Sequence, residues 1–133
     1  MRPDAADLRL LGEIGLMAAG RGMTREAEAI AAGFAAWRPR SAVAGMVRAL
    51  SAMSSGRDEE AVRLLREDAL RAEPGSTDAR AMLGLALERA GYRNAAEAVL
   101  DPLLESGGDE DGAGGLARAV LDARRGPTES SSR

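Results

Sequence analysis

The sequence predicts an all-α fold of three helical hairpins and a C-terminal capping helix, and three observations predict it. Landmarks recur: Gly56, Ala61 and Leu65 stand 35 residues before Gly91, Ala96 and Leu100, and Gly22, Ala27 and Ala31 stand 34 residues before Gly56, Ala61 and Leu65. Each set of landmarks joins two stretches whose apolar residues return every three or four positions, the period of a helix. The 133-residue chain is 45 % hydrophobic but only 2 % aromatic, so Ala, Leu and Met must fill the interior, and strand-favouring residues are sparse. A pair of short amphipathic helices cannot bury its apolar faces alone, whereas stacked copies can. The length suits one domain over residues 1–125, with repeats near 8–41, 42–76 and 77–106, a capping helix near 115–125 and a Ser-rich disordered tail over 126–133.

In chain order, Asp4 or Asp7 is placed to cap a first helix that runs to about Ala19. Leu8, Leu11, Gly15 and Ala18 line its buried face, with Leu10, Ile14 and Met17 expected to widen it. Gly20 to Gly22 breaks it. Thr24 is the expected cap of the second helix, in which Ala27, Ile30, Ala31, Phe34 and Trp37 form the buried stripe; Phe34 and Trp37 are read as core between the first two hairpins. Pro39 ends that helix, because the residue before a proline disfavours α geometry.

Ser41 should cap a helix from Ala42 to Ser54 that is apolar almost all round, with only Arg48, Ser51 and Ser55 marking a polar side. Such a helix is buried on both sides, or buried on one and adhesive on the other. Asp58 is the expected cap of the next helix; Ala61, Val62, Leu64, Leu65, Ala69 and Leu70 supply packing, and Arg63, Arg66 and Arg71 face solvent. Pro74 closes this unit 35 residues after Pro39 closes the first. Ser76 or Thr77 then caps a helix carrying Leu83, Leu87 and Ala90 on one face, and Gly91 sits where a helix ends in a left-handed residue. Ala96, Val99, Leu100 and Leu103 resume the stripe, and Asp101–Pro102 predicts a kink or restart. Residues 106–115 read as a flexible acidic loop. Its Asp109–Asp111 cluster lacks the ligand spacing of an EF-hand, so no metal is expected there.

The hairpins from about Leu8 to Ser106, with Ile14-Gly15 and Leu83-Gly84 early in their first helices and closing prolines at 39 and 74, resemble tetratricopeptide repeats. The large aromatics of such repeats are mostly replaced by Leu, Met and Ala, so these are degenerate copies. In the second copy the Leu-Gly position falls on Arg48-Ala49 or on Ala49-Leu50, two registers one residue apart.

The residue inventory excludes most chemistry. There is no Cys and no His, which removes thiol catalysis, Ser/His/Asp triads, disulfides and the usual zinc ligands. No phosphate-cradling glycine motif follows a strand, and no paired carboxylates share a cleft, so no enzyme and no cofactor are expected. A net charge of −3 does not favour nucleic acid. No apolar run is long enough to insert in a membrane, and acids stand where a signal peptide would be basic, so the cytoplasm is the expected compartment.

The resemblance implies a protein-binding surface. In tetratricopeptide arrays the first helix of each unit lines a concave groove, and the residue two places after the Leu of Leu-Gly points into it. Here those residues are Leu16 and Leu85, with Leu50 in the second copy. Leu16 lies on the wheel beside Arg9 and Glu13, and Leu85 beside Asp78 and Arg89, so both are apolar residues on an otherwise polar side. Ala19, Met46, Met53, Ala81 and Glu88 would complete the groove, suited to an amphipathic partner helix, with core packing an equal alternative for Met46, Leu50 and Met53. Size and the segment from Glu26 through Trp37-Arg-Pro-Arg and Gly56-Arg-Asp-Glu-Glu to Pro74-Gly75 also resemble the tetratricopeptide-like chaperones of bacterial type III secretion. That resemblance implies sequestration of a helical needle-type subunit, with a small helical co-chaperone as an accessory and a homodimer as an option when unbound. The alternatives are a general adaptor or scaffold that binds another peptide, and a regulator that self-associates.

Overall fold

The computed structural model describes residues 2–105. It consists of α1 (Ala5–Gly20), α2 (Thr24–Trp37), α3 (Val43–Ser54), α4 (Asp58–Leu64), a π-helical turn (Leu65–Ala69), α5 (Leu70–Ala72), α6 (Thr77–Ala90) and α7 (Arg93–Glu105), with no strand among the described residues. α4, the π turn and α5 form one uninterrupted rod, so the described residues make three antiparallel hairpins. The first helices stand side by side, α1 on α3 and α3 on α6, while α2 packs on α3 and α4 packs on α6. The capping helix, the acidic loop and the Ser-rich tail expected from the sequence lie outside the described residues.

Local chemistry sets the helix ends. Asp4 and Asp7 form a reciprocal capping box at the start of α1, where Asp4 Oδ1 accepts from the Asp7 N–H at 2.8 Å. Ser76 Oγ accepts from the Ala79 N–H at 3.1 Å and caps α6. At α3 the expected Ser41 contact is present, its Oγ accepting from Val43, and Glu73 adds a long-range cap by accepting from the Ala42 N–H at 2.8 Å. Two expected caps are not formed. Thr24 is already inside α2 and donates back to the Gly22 carbonyl, and Asp58 is inside α4, where it meets Arg89 instead. Both helices start directly from a tight turn, which leaves no extended residue to act as a side-chain cap.

Each hairpin turn repeats the same backbone. Gly22, Gly56 and Gly91 take positive φ of 77°, 80° and 94°. The next residue's N–H closes a Schellman bond to Ala18, Ala52 and Leu87 respectively, at 2.9, 2.8 and 2.9 Å. A side chain at these glycines would be forced into the left-handed region, which is why the landmark glycine recurs.

The π turn was not foreseen, and it explains the uneven spacing of the landmarks. Hairpins one and two run at an offset of 34 up to Leu65 but 35 from Ala69 onward: Arg38 N–H bonds to Phe34 and Glu73 N–H to Ala69 in equivalent bonds. The extra residue is absorbed in the turn, where the Leu70 N–H reaches the carbonyl of Leu65, five residues back. The wider turn puts Ala69, fully buried, on the inner face and leaves Asp68 half-exposed. α3 passes close by: a Cβ on Gly45 would lie 2.6 Å from the Ala69 nitrogen.

The core is continuous through α3. Met46, Ala49 and Met53 share one cluster with Ala61 and Leu65 of the second hairpin and Leu83, Leu87 and Ala96 of the third. Ala44 and Val47, on its other side, join Ala18, Ala27 and Ala31 of the first hairpin. α3 is thus buried on both sides. Leu65, Leu87 and Leu100 are almost wholly buried, each contributing about 2–3 kcal/mol.

Two expectations about the first hairpin are corrected. Leu10, Ile14 and Met17 do not widen its buried face; they are 55 %, 45 % and 55 % exposed, because α2 and α3 close only the side of α1 that carries Leu8, Gly12, Gly15 and Ala19. Trp37 is not core between hairpins. It is the last residue of α2, 46 % exposed, and borders a shallow recess with Arg2, Pro3 and Leu8, while Phe34 alone is buried. Helix α7 shows no restart and is continuous through Pro102.

Candidate protein-binding surface

The candidate surface is built on small residues. Gly15, Ala49 and Gly84 are buried where each first helix meets its neighbours. A Cβ on Gly15 would lie 2.9 Å from Ile30 and 3.1 Å from Val47, and one on Gly84 would overlap the Leu100 side chain. Ala49 stands 34 residues after Gly15 and 35 before Gly84, so the second copy takes the Arg48-Ala49 register. The next residues, Leu16, Leu50 and Leu85, are therefore equivalent.

These three leucines are half-buried, and each touches the cores of two neighbouring layers: Leu16 and Leu50 the first and central clusters, Leu85 the central one and the cluster of Ala81, Leu100 and Leu103. They form a row across α1, α3 and α6, one leucine per hairpin. Arg9 and Glu13 are exposed on α1, and Asp78 and Arg89 on α6.

The other residues expected in the groove do not all reach the surface. Ala19 and Ala81 are buried to within 1 %, Met53 is 4 % exposed and Met46 8 %. Their burial follows from the stacking of the first helices, which closes the positions between adjacent hairpins. These four support the leucine row from beneath. Glu88 is half-buried, with a carboxylate oxygen 3.8 Å from Arg93.

Polar contacts hold the row in line. Arg48, on the far side of α3, bonds Glu28 of α2 at 3.0 and 3.1 Å and Asp68 of the π turn at 3.3 Å. The hydrogen bonds that the guanidinium donates to Glu28 outweigh partial burial and raise the Arg48 pKa above its ordinary value. A second device repeats. Ser54 Oγ donates to the Ala19 carbonyl at 2.6 Å, and Arg89 Nη2 donates to the Met53 carbonyl at 3.1 Å. Donors and acceptors occupy equivalent repeat positions, so each first helix is clasped to the one before it. Sequence reasoning missed the clasp; the only signal was that Ser54 and Arg89 stand 35 apart, two different donors at one position.

On the opposite side, a recess of about 420 Å³ lies between the second and third hairpins, lined by Val62, Arg66, Leu87, Tyr92 and Ala95 among others. At its edge the Tyr92 hydroxyl donates to Glu59 at 3.1 Å. Among the described residues no cluster of acids is placed to hold a metal ion, and no helix is long and apolar enough to cross a membrane.

The tetratricopeptide-repeat family model matches residues 52–121, just over half of the chain. The chain belongs to the tetratricopeptide-repeat family. Tetratricopeptide repeats are generally non-catalytic modules that bind other proteins, and the third hairpin with most of the second lies inside the matched span. The first hairpin lies outside it but carries the same glycine turn and the same clasp. No curated protein matches this tetratricopeptide chain, and no solved structure does.

Proposed function

We propose that this tetratricopeptide array is a protein-binding chaperone that captures an amphipathic helix along the row Leu16, Leu50 and Leu85, and that its cargo is the self-assembling helical segment of a type III secretion needle-type subunit, held in the cytoplasm until use. In this reading the three hairpins, residues 8–41, 42–76 and 77–106, act as one domain. The observation that carries it is the recurrence of one incompletely buried leucine per hairpin at the same repeat position, on first helices that stand side by side. A surface of this kind matches the i, i+3, i+4 anchors of an amphipathic helix. Completing the burial of each leucine contributes about 1 kcal/mol, so the row acts collectively. Cargo identity rests on the resemblance of the segment from Glu26 to Gly75 and on the small size of the chain.

Co-expression with a needle-type subunit tests the reading, followed by calorimetric titration with that subunit's helical segment. The wild-type chain should co-purify with the subunit. Leu16→Asp combined with Leu85→Asp should weaken binding at least tenfold, roughly the loss of two apolar anchors, while far-ultraviolet circular dichroism stays unchanged. Failure of the subunit to co-purify sinks the cargo assignment; undiminished binding by the double variant sinks the groove.

A further inference from the structure

The three first helices should be interchangeable in their surroundings, and one is not. Positions 44, 48 and 51 of α3 are closed by α2, with Ala44 packed against Ala27 and Ala31 and Arg48 paired to Glu28. Positions 79, 83 and 86 of α6 are closed by α4 and the π turn, in one cluster with Ala61, Val62 and Leu65. The equivalent positions of α1 are Leu10, Ile14 and Met17, and no element among the described residues covers them. Isolated exposed apolar residues are ordinary, but three large ones aligned on the otherwise paired face of a helix are not.

The residue types also say what fits. The two covered seats are flanked by small residues, Ala44 with Ser51 and Ala79 with Ala86, which lets the preceding helix approach closely. α1 has Leu10 and Met17 in those places, too bulky for such an approach. Its stripe continues at both ends: Asp7, Leu10, Ile14, Met17 and Arg21 follow at spacings of three, four, three and four, the seam spacing of paired helices. One end is acidic and the other basic. Among the described residues Arg21 makes no ion pair, and the Asp7 carboxylate meets only the Asp4 N–H, at 3.4 Å. A stripe of bulky knobs with opposite charges at its ends is complementary to itself reversed.

We infer that two copies of this chain pair antiparallel through α1, with Ile14 near the two-fold axis, Leu10 of one copy against Met17 of the other, and Asp7 opposite Arg21 at both ends. The antiparallel sense also opposes the two helix dipoles. The surface is separate from the leucine row, so the pairing stands whether or not the cargo reading does.

Sedimentation equilibrium of the full chain is the test. The wild type should be a dimer that dissociates on dilution. Ile14→Asp should be monomeric at the same concentrations with unchanged helicity, since Ile14 is 45 % exposed and its loss leaves the core intact. Arg21→Asp should weaken the dimer roughly tenfold, because two attractive pairs become repulsive, and adding Asp7→Arg should restore it. A wild type that is monomeric throughout overturns the inference, as does a dimer that survives Ile14→Asp. If the charge swap leaves helicity unchanged and still fails to restore pairing, the antiparallel arrangement is wrong.

Discussion

Tyr92 gives the most direct access to the structure in solution, since it is the only tyrosine in the chain. Ionising it breaks the hydrogen bond that its hydroxyl donates to Glu59 and sets a phenolate beside a carboxylate, so its pKa is raised. The protonated form is the one the fold favours. The contribution is therefore complete below the unfolded value of about pH 10 and fades as pH climbs through the higher folded value. Phenolate absorbance should show a midpoint above that of a free phenol, and Glu59→Gln should lower it; a wild-type midpoint at the free value would mean that the bond is absent in solution. At this same scale the sequence was least informative. Trp37 fits the stripe of α2 as well as Phe34 does, and only the end of the helix, one turn beyond Phe34, decides that it is exposed. Likewise Ile14 and Leu83 hold the same repeat position, and what separates them is a neighbour, which no residue count supplies.

Elements were more legible, because glycine turns, prolines and helical periodicity are local. Each hairpin turn lies at its landmark glycine, and the π turn was present in the sequence as the change of offset from 34 to 35. A spacing alone does not say whether an extra residue enters a loop or a helix; the helix absorbs it here because Leu65 and Ala69 both have buried places to keep. Deleting Glu67 should therefore turn the π turn into ordinary α-helix, leaving Leu65 and Ala69 three apart, as Ala31 and Phe34 are in the first hairpin. The cost should be small, about 1 kcal/mol, chiefly the Arg48–Asp68 contact. Deleting Arg63 instead rotates Leu65 by about 100° out of its buried place even if the π turn closes, and should cost several times more, about 3 kcal/mol. Circular dichroism melts of the two deletions separate these outcomes, and equal damage from both would refute the account of the turn.

For the whole molecule, cohesion between hairpins rests on the shared core of α3 and on the repeated clasp. Ser54→Ala and Arg89→Ala should each cost about 1 kcal/mol in urea unfolding with an unchanged slope. Combined, they should flatten the slope, because an array held mainly by neighbour contacts begins to unfold hairpin by hairpin. Simple additivity with an unchanged slope would show that the core alone provides the coupling. The candidate surface was legible at this scale only in part. Leu16, Leu50 and Leu85 follow from the repeat, whereas the burial of Met46, Met53, Ala19 and Ala81 depends on how closely adjacent hairpins stack. The π turn carries a further consequence, for recombination. A crossover between the first two hairpins preserves the fold only if it uses an offset of 34 upstream of the turn and 35 downstream. A splice from the first hairpin into the second at the wrong offset would deliver Asp68 to the buried place of Phe34, the counterpart of Ala69, and leave a charge in the core.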